Sequence, residues 1–86
     1  MGVVEDLGDD LARETMAAQL EIGDDRFYTE VARVIGASSP TLQEAFLTSV
    51  RIRMAAARGK VFLEATLKAR REGATGPAAP RDVSAH

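Results

Sequence analysis

Apolar residues along this chain recur at helical steps rather than alternating, and they fall into three blocks. In the first, Val4, Leu7, Leu11, Ala18 and Ile22 are spaced by three, four and seven, one face of a helix running from Val4 or Asp9 to Ile22. Asp9 and Asp10 suit a first turn, Gly8 favours the later start, and Gly23 suits a left-handed stop. In the second block, Phe27, Val31 and Val34 or Ile35 predict a helix from Asp25 to Ile35, with Asp24 as N-cap and Gly36 closing it. The third block is the longest. Ser39 before Pro40 has the order of an N-cap followed by a first-turn proline, and helical residues continue to Glu72, with Gly73 ending them. At ~1.5 Å per residue this is roughly 48 Å of helix, unless Gly59 divides it.

The long helix carries two apolar stripes. Leu47, Val50, Met54, Ala57 and Val61 follow a three-four heptad spacing. Ala45, Ile52, Ala56, Gly59, Leu63 and Leu67 form a second line, well over 90° around the cylinder at ~100° per residue. The two short helices cannot cover both stripes along their full length. The expectation is therefore an all-α fold of two short helices and one long amphipathic helix, arranged as a helical hairpin that self-associates. Leu47, Val50, Met54 and Val61 on one stripe, and Ile52, Leu63 and Leu67 on the other, are the expected oligomerisation residues. Three parts follow: an acidic N-terminal helix (1–23), a hairpin and oligomerisation module (24–72) and a C-terminal tail (73–86). The tail, GATGPAAPRDVSAH, offers Val83 as its one large aliphatic, so the pattern predicts a segment disordered in isolation. Its stiffened stretch, with Pro77, Pro80, Arg81 and Val83, is the expected partner-binding peptide.

With 86 residues and no cysteine, the chain has no disulfide to support a marginal core, and association is the remaining remedy. An acidic start and the lack of a long apolar run predict a soluble, cytoplasmic protein with no membrane partner. The net charge of −2 hides an asymmetry: residues 1–30 hold nine acids and two bases, and residues 31–86 hold four acids and nine bases. Such a dipole can steer a polyanion or pair subunits head to tail. No catalytic constellation is visible. The carboxylates crowd helix starts, the single histidine is His86, and no Glu-x-x-His spacing occurs, so no enzyme activity, metal or cofactor is expected.

Two features touch nucleic acid. Tyr28–Phe46 resembles a helix-turn-helix, with Ala32 four before Gly36 and with Val31, Ile35 and Leu42 at the buried places. Its base-facing positions would include Ser39, Thr41, Gln43 and Glu44, none of them basic, and a plain hairpin with Gly-Ala-Ser-Ser-Pro as its capping turn is the competing reading. Separately, Arg51, Arg53, Arg58 and Lys60 are candidate phosphate contacts along the long helix, binding DNA without sequence preference. A solvated face pairing with the acidic N-terminal region of its own or a neighbouring chain is the alternative.

An acidic N-terminal part, a helical hairpin over Asp24–Glu72 and a loose peptide over Gly73–His86 together resemble a small terminase subunit, the DNA-packaging adaptor of tailed phages and gene transfer agents. The resemblance implies a homo-oligomeric ring, cationic contact between helices and DNA, and docking of the tail on a large terminase motor. A separate N-terminal DNA-binding domain, usual in that family, has no counterpart here unless Tyr28–Phe46 serves. The rival expectation is a small cytoplasmic helical regulator or adaptor that binds another protein and not DNA.

Overall fold

The computed structural model describes residues 2–79, and among these the fold is all-α. Three helices follow in order: α1 (Val3–Ile22), α2 (Phe27–Ser38) and α3 (Pro40–Arg71). The chain divides into two compact units, Met1–Met54 and Ala55–His86, and the boundary falls within α3, which is continuous through Gly59.

In the first unit, Ala12, Ala32, Phe46 and Val50 form the core, with Phe46 and Val50 both at 0 % exposure. Leu11, Met16, Tyr28, Val31, Ile35, Leu47 and Met54 pack around it. The buried face of α1 is not the one its apolar spacing predicts. Gly8, Ala12, Thr15 and Gln19, at steps of four, three and four, are the buried residues. That face lies about a quarter-turn from the Val4–Leu7–Leu11–Ala18–Ile22 stripe at ~100° per residue. Leu7 remains 47 % exposed and Ile22 55 %. Close approach of α3 explains the choice: a Cβ placed on Gly8 would sit 3.0 Å from both the carbonyl carbon and the Cβ of Ala45. Gly8 therefore belongs to the helix interior and does not delay its start. A small face lets the Phe46 ring be enclosed where a row of leucines would hold the backbones apart.

Helix ends follow local chemistry except at the two ends of α2. Gly23 (φ 72°) closes α1, its N–H donating to the Gln19 carbonyl at 2.9 Å. Ser39 caps α3, its Oγ accepting from the Leu42 N–H at 3.1 Å, with Pro40 in the first position. The start of α2 differs from the expectation. Asp24 Oδ1 accepts from the Arg26 N–H at 3.0 Å, a turn that precedes the helix rather than capping it. The cap comes from α1 instead: Gln19 Oε1 accepts from the Tyr28 N–H at 2.8 Å, which accounts for a buried glutamine. Gly36 does not close α2, which runs on to Ser38 and is separated from α3 by Ser39 alone.

In the second unit, the remainder of α3 has no buried residue. It ends at Arg71, and Gly73 (φ 72°) turns the chain, with the Ala74 N–H donating to the Ala69 carbonyl at 2.7 Å. The following residues run back along the helix. A Cβ on Gly76 would lie 3.2 Å from Thr66 Cα, and Pro77 and Ala79 border a shallow apolar groove with Val61, Phe62 and Ala65. Thr66 Oγ1 is buried there without a hydrogen-bond partner. Part of the expected tail thus lies against its own helix. Pro80, Arg81, Val83 and His86 lie outside the described residues.

Candidate functional site

The expected oligomerisation residues separate into two groups. Val50 is enclosed in the core of the first unit, with Leu47 and Met54 half-buried beside it. These three pack within one chain, so Val50 has no surface to offer a second one. Ile52, in the same unit, points outward at 63 % exposure. In the second unit, Val61, Leu63 and Leu67 are all exposed, Leu63 by 56 % and Leu67 by 42 %. Val61 borders the groove beside Pro77 and Ala79, so the returning chain lies on that side of the helix. Leu63 and Leu67 share the other side with Ala56, while Gly59 stands at the margin of the groove, with nothing within 4 Å of its Cβ position. Lys60 and Arg71 stand along the edge of that stripe at ~100° per residue.

The candidate phosphate contacts are solvent-facing. Arg51, Arg58 and Lys60 are exposed, and Arg53 is half-buried, its Nε donating to Ser49 Oγ at 3.2 Å. Among the described residues, the one ion pair within 4.0 Å joins Arg13 to Asp10 on α1, at 3.2 Å. Within the first unit, Arg51 and Arg53 therefore have no acid of α1 at ion-pair distance.

The helix-turn-helix reading of Tyr28–Phe46 finds only part of its geometry. Ala32 is buried, as the motif requires, and Val31 and Ile35 pack on the core. Gly36, however, is helical rather than the left-handed residue of a turn, and only Ser39 separates the helices. Ser39 is occupied as a cap, and the Gln43 amide lies over Gly36, within 2.7 Å of where a Cβ would be. Two of the four base-facing positions are thereby engaged in local structure.

Among the described residues, no group of three His, Cys, Asp or Glu is placed to hold a metal ion, and no helix is long and apolar enough to cross a membrane. No family model, curated protein or solved structure matches this chain.

Proposed function

We propose that this chain is a non-catalytic helical adaptor that assembles with copies of itself through the second unit of α3. In its specific form it is a small-terminase-like packaging subunit that holds DNA without sequence preference and docks a large motor. The observation carrying this reading is the exposed stripe of Ala56, Leu63 and Leu67 on a helical segment with no buried residue of its own. Helices of only ~12–15 residues are marginal in water, and most helical stability in proteins comes from packing an apolar face. A second chain would supply that packing.

The DNA half of the reading rests on charge. Arg51 and Arg53 in the first unit, and Arg58 and Lys60 in the second, act as cations toward phosphate, with no base readout. Light scattering together with gel shifts tests both halves. The assembly should exceed the mass of a 9.2 kDa monomer. DNA affinity should fall linearly with salt on logarithmic axes, with a slope of about −0.9 per phosphate neutralised. Reversing two of the four cations should weaken binding equally for every sequence. A well-folded monomer at high concentration ends the assembly reading. Assembly without any DNA complex at low salt leaves the protein-binding adaptor in place of the packaging subunit.

A further inference from the structure

The α1 stripe is only partly covered by the core and offers its outer edge as a surface. Leu7 and Ile22 are exposed, Val4 and Ala18 are half-buried, and Leu11 packs against the core. Glu14 and Glu21, both exposed, flank this stripe on the side away from the core. Over its whole length α1 carries six acids and one base. The bare stripe of the second unit has the opposite rim. Leu63 and Leu67 are bordered by Lys60 and Arg71, with Glu64 on the same edge one turn after Lys60, and residues 55–71 carry five bases and one acid. Each surface is an apolar line along one helix face with charge along its edge, and the net signs are complementary.

Like surfaces do not suit one another here. Two copies of the basic stripe face to face would set Lys60 and Arg71 against their own equivalents, and two acidic stripes would do the same with Glu14 and Glu21. We propose that the occupant of the basic α3 stripe is the α1 stripe of a second copy of this chain, a head-to-tail contact in which each protomer gives one surface and receives the other. The inference rests on the self-association proposed above and adds its pairing rule.

Two complementary variants test the rule. The first, Glu14→Lys with Glu21→Lys, reverses the acidic rim. The second, Lys60→Glu with Arg71→Glu, reverses the basic rim. All four residues are exposed, and none lies within ion-pair distance of another described residue, so neither variant removes an ion pair from the folded chain. Sedimentation of wild type at low salt should show multimers, and each variant alone should sediment as a monomer. An equimolar mixture should recover multimers larger than the 9.2 kDa chain, because each reversed rim meets a rim of opposite sign on the other variant, and a mixture that stays monomeric overturns the rule. If the first variant assembles as fully as wild type, the contact is symmetric and the pairing rule is overturned, while self-association stands. If wild type is itself a monomer, the assembly reading falls and the rule with it. Should either variant lose its helical spectrum, Glu14→Gln with Glu21→Gln replaces it, with an expected weakening of assembly of at least tenfold. Unchanged assembly in that variant also overturns the rule.

Discussion

Gly8 and Gln19 hold the first unit together through partners far from them in sequence. A side chain at Gly8 has to displace the α3 backbone at Ala45 and Phe46, so Gly8→Val should cost about 1–3 kcal/mol, as overpacking generally does. Urea denaturation measures it. Gln19→Ala leaves the Tyr28 amide without its acceptor, a loss of about 1–3 kcal/mol where the group stays away from water. Ser39→Ala removes a cap worth about 1 kcal/mol, and the same unfolding curves should resolve the difference between these substitutions. Ser39, Pro40 and Gly23 were legible in the sequence because each acts on its immediate neighbours. Gly8 and Gln19 were not, because a buried glycine and a buried glutamine acquire their roles only when another helix arrives. The apolar periodicity of α1 pointed to the stripe with more leucine, and the close approach of α3 selected the smaller face.

Helix α3 shows how one periodic pattern serves two environments. Its stripes read alike along the whole length, and nothing in their spacing marks where the coverage by α1 and α2 stops. Val50→Asp places an unpaired carboxylate at a fully buried position, which costs several kcal/mol of a total stability that is ordinarily about 5–15 kcal/mol. Thermal melts should show the chain largely unfolded. Leu63→Asp sits on an exposed stripe and should leave the melting of the first unit within about 0.5 kcal/mol of wild type, the range of ordinary surface substitutions, while abolishing multimers in light scattering. Two substitutions of the same chemical kind thus separate folding from assembly. If Leu63→Asp leaves the multimer mass unchanged, the second unit is not the contact surface.

For the whole molecule, the charge asymmetry was visible by counting, and the structure adds that its two poles lie on helices that each keep large apolar residues exposed, Leu7 and Ile22 on one and Leu63 and Leu67 on the other. The candidate DNA contacts were legible as residue types. Which of them are held by local bonds, as Arg53 is by Ser49, required coordinates. The returning segment after Gly73 was not anticipated, since its small residues give no apolar signal until they meet Thr66 and Ala65. Deleting Gly73–His86 should still leave the multimer intact, because it uncovers a side of α3 distinct from the Leu63 and Leu67 stripe and lets water reach the unpartnered Thr66 hydroxyl. Pull-down with the truncated chain should lose the partner protein, and retention of that partner would move its binding surface onto the helices.

A helix with a covered part and a bare part has a consequence for how its backbone meets solvent over time. Peptide amides trade their hydrogens with deuterium whenever a segment opens, and the rate follows the free energy of that opening. Amides near Phe46 and Val50 should therefore trade at the slow pace of global unfolding even in dilute solution. Those around Leu63 should trade quickly in dilute solution and slow down as the chain is concentrated. One helix then carries both the reference and the signal, and mass spectrometry of two of its peptides reads the degree of assembly without any label.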